Sequence, residues 1–219
     1  MTADELLLWV RGPGLLIAAG VFCFGILLRL FEIFMLGRKK NLAELRESGV
    51  GAGFRTIVTR SLPEKNTLKR SMFTIIAGYV FHIGLFVTIF LLTPHIKLFE
   101  GLLGFAWPAL PTPVVDFFAV LTMLSLLAVL WHRMTTPVLR HLSTAQDYLV
   151  WALTFLPVLT GYMAYHHLFL EYTMALAIHI LTVELLLIAF PFTKLMHAIT
   201  LFISRWYNGY IAGQKGVQQ

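Results

Sequence analysis

The chain has 219 residues, of which 58% are hydrophobic and 13% charged. A soluble domain carries about 25% charged residues. With a mean hydropathy of +0.78, the expected solvent is lipid, and the length suffices for one helical bundle without a large soluble domain. The formal charge of +6 does not point to nucleic acid, because the cations sit in the connections between apolar runs. The single cysteine, Cys23, lies inside such a run. One thiol excludes an intramolecular disulfide, an iron–sulfur cluster and covalent haem attachment, so Cys23 reads as a small buried packing residue.

The N-terminal residues Met1 to Glu5 are acidic and lack the basic start of a signal peptide, so the first helix is expected to be retained. A membrane span needs about 20 apolar residues, and five stretches qualify, at about 13–36, 72–93, 113–131, 148–165 and 172–203. Each run is too long and too continuous for a barrel strand. The expected architecture is a single all-α integral membrane domain of five transmembrane helices over 1–219. The apolar segment 98–107 is too short to span and is expected in the outer interface, anchored by Trp107.

The connections set the orientation. The loop 37–70 holds Arg38, Lys39, Lys40, Arg46, Arg55, Arg60, Lys65, Lys69 and Arg70. The next connection holds only Lys97. Arg133 and Arg140 follow the third span, no cation follows the fourth, and Arg205 and Lys215 lie in the tail. The basic side is therefore expected in the cytoplasm, with the N-terminus outside and the C-terminus inside, in the inner membrane. Membrane lipid headgroups are the expected contact for these cations. Gly49, Gly51 and Gly53 in the first loop read as a flexible turn.

Eight histidines are present, several at membrane depth, where an ionisable residue is a functional candidate. His179 and His197 are both placed on the fifth helix. Their spacing is five whole turns at 100° per residue, about 27 Å of rise, so both are expected on one face, near opposite sides of the membrane. His82 lies near the middle of the second span, and His95 follows Pro94 at its end. Histidines facing each other across a bundle hold b-type haem, with Gly78, Gly84, Ala175 and Ala177 offering room for a flat ring. The competing reading of any one of them is a buried histidine bonded to a backbone carbonyl or a hydroxyl. His132, His141, His166 and His167 lie at span ends or in loops. Zinc is the weaker metal reading, because no carboxylate or thiol stands at ligand spacing.

On these residues the chain resembles the gamma subunit of respiratory nitrate reductase and related di-haem cytochrome b subunits of sulfite-reductase-linked and heterodisulfide-reductase-like complexes. The motifs are His179 with Phe190-Pro191-Phe192-Thr193-Lys194-Leu195-Met196-His197, then Phe81-His82-Ile83-Gly84 and Leu92-Thr93-Pro94-His95. The resemblance implies that His179 ligates an outer haem, and that His197 and His82 ligate an inner one. In the family a second ligand follows the first on helix two by about three turns, a register that falls on Leu92 here. His95 is the expected replacement if Pro94 redirects the chain, with His166 or His167 as substitutes. Two b haems are the expected complement, and a single haem between His82 and His179 is the other arrangement.

The resemblance further implies an electron-transfer subunit, not catalytic alone on a soluble substrate. It would exchange electrons between quinone and a cytoplasmic iron–sulfur partner, in either direction. Lys97 is the candidate quinone contact, Glu184 a candidate for a helix–helix pair or a proton relay, and Arg205-Trp206-Tyr207 with the first loop the candidate docking surface. Arg29 and Glu32 are expected to pair or to reach the inner interface. The alternative is a non-redox membrane scaffold or anchor subunit, which needs none of these histidines.

Overall fold

The computed structural model describes residues 1–35 and 44–217. Leu36, the expected end of the first span, and the cations Arg38, Lys39 and Lys40 lie outside the described residues. In chain order the helices are α1 (Ala3–Met35), α2 (Val50–Thr59), α3 (Lys65–Arg70), α4 (Met72–Leu91), α5 (Thr93–Leu103), α6 (Thr112–Thr135), α7 (Pro137–Leu142), α8 (Ala145–Tyr165), α9 (Tyr172–Ala189) and α10 (His197–Gln214). The protein is all-α, and α1, α4, α6, α8 and α9 with its extension to Phe192 are each long and apolar enough to cross a membrane. Leu16, Phe24, Phe86, Phe117, Leu124 and Leu185 stand exposed along them, the surface that a lipid solvent covers, and Cys23, expected to be buried, is exposed on the same kind of surface.

The chain divides into two units. Met1–Ala19 with Ser71–Leu187 forms the first, and Gly20–Arg70 with Ile188–Gln219 the second.

In the first unit, α1 starts well before the expected residue 13. The hydroxyl of Thr2 accepts from the Glu5 amide at 3.2 Å, and the Glu5 carboxylate accepts from the Thr2 amide at 2.7 Å. This reciprocal box satisfies two of the amides that a helix start leaves open. Pro13 therefore does not open the helix but lies inside it. Proline lacks an N–H and crowds the carbonyl four residues back, and the chain meets this with a π-helical turn at Val10–Gly14.

Helices α4 and α6 approach closely because the facing residues are small or hydroxylated. Gly84 lies directly against Thr122, and the Ser125 hydroxyl donates to the Ala77 carbonyl at 2.8 Å. Gly84 thus serves helix contact, whereas Gly78 faces open space. The Trp151 indole ties α8 to α6 by donating to the Leu126 carbonyl at 2.8 Å. The segment expected in the outer interface is the second half of α5, closed by Gly104 at φ 80°. Trp107, expected there as an anchor, donates its indole N–H to the Phe90 carbonyl at 2.6 Å.

The fifth span is not one helix to residue 203. α9 stops at Ala189, two short 3-10 turns follow with Thr193 extended between them (φ −124°, ψ −178°), and α10 begins at His197. Pro191 cannot continue the ladder, and the Thr193 hydroxyl accepts from the Leu195 amide at 3.4 Å to start the next turn. The five-turn relation between His179 and His197 therefore does not hold, and the two residues belong to different units.

In the second unit the break is braced by α1. Gly25 lies against the Pro191 ring, Phe22 meets Phe190 edge-on at 5.3 Å, and the Arg29 guanidinium donates to the Pro191 carbonyl at 3.1 Å. Arg29 also pairs with Glu32 at 2.6 Å, as expected. The glycine cluster is not a flexible turn. Only Gly49 of the three has a positive φ, at 73°. Gly53 receives the Trp206 indole, Gly209 lies against Thr56 and Gly213 against Ala52, so α2 docks closely on α10. Arg205 donates to the Ser61 hydroxyl at 2.9 Å. Of the three expected docking residues, Arg205 and Trp206 are thus engaged within this unit, and Tyr207 stays exposed.

Gly84→Val forces α4 and α6 apart and lowers stability by about 1–3 kcal/mol, read as a lower thermal midpoint in detergent. Gly20→Ala, in open space, leaves the midpoint in place. A second test uses pH. The amides of Thr173, first, and Met174 donate to the Glu171 carboxylate and hold it below the usual carboxylate range. A lowered folded value means that the stabilisation exists above the ordinary carboxylate range and is lost as pH falls through the folded value. The gap in midpoint between wild type and Glu171→Ala accordingly closes on acidification.

Candidate functional site

Two imidazoles meet in the first unit. His179 sits on α9, and His95 sits in the first turn of α5. What brings them together is the break between α4 and α5. Leu92 is extended (φ −85°, ψ 130°) and Pro94 lies in the new first turn. A helix end leaves its last carbonyls without intrahelical donors, and in lipid each must find another. Here the Thr88 carbonyl accepts from His95 Nδ1 at 2.8 Å. The Phe90 carbonyl takes the Trp107 indole, and the Leu91 carbonyl takes the Leu110 amide at 3.1 Å. The ring of His95 is thereby folded back along α4.

His179 is held from α8. Its Nδ1 lies 3.3 Å from the Thr160 hydroxyl, whose own proton goes to the Leu156 carbonyl at 2.7 Å. The Pro157 carbonyl is a further acceptor for the His179 ring. Gly161 makes room for this ring, since a Cβ there would stand 2.9 Å from His179 Cε1. The centres of the His95 and His179 rings are 6.1 Å apart, with planes 23° from parallel.

The His95 ring therefore carries a proton on Nδ1, which leaves its Nε2 lone pair for another partner, while the His179 ring has both the Thr160 hydroxyl and the Pro157 carbonyl beside it. A second hydrogen bond that fixes the tautomer and the ring is the usual support of a metal-ligating histidine. Two imidazoles from different helices are a donor set that a haem iron accepts. Among the described residues no three His, Cys, Asp or Glu side chains converge as a multidentate metal site.

The other candidates are placed as follows. His82, half-buried on α4, directs Nδ1 to the Gly78 carbonyl at 2.7 Å and stacks on Phe81. His197, at the start of α10 in the second unit, directs Nδ1 to the Lys194 carbonyl at 2.6 Å. Both are again Nδ1–H donors, because a carbonyl only accepts. His166 is engaged elsewhere, with Nε2 at 3.1 Å from Asp116 Oδ1. His167 stacks on Tyr172 at 4.9 Å. Neither is the neighbour of His179. His132 meets the Thr136 hydroxyl at 3.2 Å. Lys97 is exposed on α5, two residues after His95 and so about 200° around the helix from it.

Sequence reasoning missed the supports of the site, Thr160 and Gly161 on α8 and the Thr88 carbonyl. A Thr-Gly pair inside an apolar run was the available signal for the first two.

No family model matches the chain, and no solved structure matches it. It is similar to a protein of Nitratidesulfovibrio vulgaris strain Hildenborough, 36% identical over 141 residues. That match covers 64% of this chain and 62% of the relative, so the chain spans less than two thirds of the relative's length. The relative carries the name "Protein", which states no activity.

Thr160→Val removes the hydroxyl beside His179 Nδ1. Were His179 to ligate a haem, the expected consequence is a 10- to 100-fold weaker affinity in a haemin titration, with Thr160→Ser retaining the wild-type affinity.

Proposed function

We propose that this chain is a membrane cytochrome b subunit that exchanges electrons between the quinone pool and a cytoplasmic iron–sulfur oxidoreductase. The observation that carries the reading is the His95–His179 pair, two imidazoles from different helices with ring centres 6.1 Å apart and with the His95 Nδ1 committed to the Thr88 carbonyl. His82 of the first unit and His197 of the second, each with Nδ1 on a carbonyl of its own segment, are each proposed as a further haem ligand. Two haems b are the proposed complement.

The haem supplies one-electron redox chemistry when bound. The chain's part is to hold, orient and bury. Thr88 and Thr160 fix the two rings, the helix break delivers His95, and the apolar helices exclude water. Lys97, exposed on the helix that carries His95, is the proposed hydrogen-bond donor to a quinone oxygen. The N-terminus is proposed outside the inner membrane, with the basic connections and α10 on the cytoplasmic side, where the partner docks. The direction of electron flow follows from the potentials of the quinone and the partner.

The test is a reduced-minus-oxidised spectrum with pyridine haemochrome quantification on the purified full chain. Wild type is expected to hold two haems, and His95→Ala and His179→Ala are each expected to lose one. A folded, haem-supplied preparation without haem sinks the reading, and full haem content in both variants removes the assignment of this pair.

A further inference from the structure

Glu184 has no part in the ligand set. It lies twelve residues into α9, roughly 18 Å along a helix that crosses the membrane. The residue is 3% exposed, and its Oε1 has no hydrogen-bond partner among the described residues. It is aimed at the π-helical turn of α1. A Cβ on Gly14 would stand 2.7 Å from Glu184 Oε1 and 2.7 Å from the Trp9 ring. The missing side chain at Gly14 is what lets the carboxyl reach α1. A π-helical turn is an uncommon element that recurs at functional sites, and here it coincides with a buried, unpartnered acid.

The surrounding charges do not neutralise a carboxylate. Arg11, on the π-turn itself, is exposed and forms no ion pair among the described residues. Asp4 and Glu5 lie in the first turn of α1, where the Glu5 carboxylate faces the Met1 amine at 4.0 Å. On α9, His179 precedes Glu184 by five residues, about 140° around the helix. An unpaired anion inside a bilayer costs far more than the neutral acid does. An acid in this setting carries an O–H whose proton is available for transfer.

We propose that Glu184 is a proton-transfer site of the membrane interior, set against the opened turn Val10–Gly14, and that its ligand is H⁺. In the forward step the carboxyl O–H breaks and its proton passes to an oxygen acceptor, leaving the carboxylate. In the return step the carboxylate takes a proton from water. The proposal rests on the proposed function only for what drives the exchange. Quinone reduction consumes one proton for each electron, and Glu184 stands on the helix that carries His179.

The experiment is infrared difference spectroscopy of the full-length protein in phospholipid vesicles, comparing wild type, Glu184→Gln and Gly14→Ala. The expected result is a neutral-acid C=O band that is lost completely in Glu184→Gln and shifts in D₂O. Gly14→Ala, which pushes a methyl group onto the carboxyl, should displace the band while keeping it. Absence of any band sensitive to Glu184→Gln overturns the proposal, because the group is then ionised. A band that does not move in D₂O also overturns it, because the acid is then sealed off and only structural. Should Glu184→Gln fail to fold, the D₂O shift in wild type and the displacement in Gly14→Ala decide the matter. These readouts need no haem. A haem-free protein with an exchanging band would sink the cytochrome reading and leave the proton site standing.

Discussion

A helix that ends leaves its last carbonyls without donors of its own, and the structure is organised around meeting that demand. At the break after Leu91, the acceptors Thr88, Phe90 and Leu91 are met by an imidazole, an indole and a backbone amide. At the break after Ala189, the Pro191 carbonyl is met by Arg29. Each break needs a donor from elsewhere in its unit, and each donor is fixed by serving it. His95 is oriented for this reason. Its Nδ1 is spent on Thr88, so only Nε2 remains for chemistry.

The same economy explains the residues around the rings. The hydroxyl of Thr160 donates to the Leu156 carbonyl of its own helix and lies beside His179 Nδ1, so one residue touches two helices. Glycines appear where an approach is closest. Gly161 admits the His179 ring, Gly84 lets α4 reach Thr122, and Gly53 and Gly209 let α2 settle on α10. Glu184 stands outside this pattern. Its Oε1 is a buried side-chain atom without a donor or acceptor among the described residues. That exception is the observation on which the proposed proton-transfer site rests.

Much of this was legible in the residues alone. Five apolar runs, too long for strands, determined an all-helical membrane protein, because lipid admits no other spanning form for such runs. The histidines at membrane depth and the prolines beside them were equally visible. Sequence could not say which histidine meets His179. His95, His166 and His167 all stood near the same end, and the choice depends on the direction the chain takes after Leu92, which the Thr88, Phe90 and Leu91 carbonyls settle through donors as distant as Trp107 and Leu110. Nor could it say that the fifth run stops at Ala189, because a proline in an apolar run kinks one helix and ends another according to what braces it. The glycines of the first loop looked like a turn because their partners, Trp206, Gly209 and Gly213, lie far along the chain. Local pattern determined the elements and their solvent. Only the tertiary structure decided where the helices break and which side chains meet, because those outcomes rest on hydrogen bonds and close contacts between residues remote in sequence.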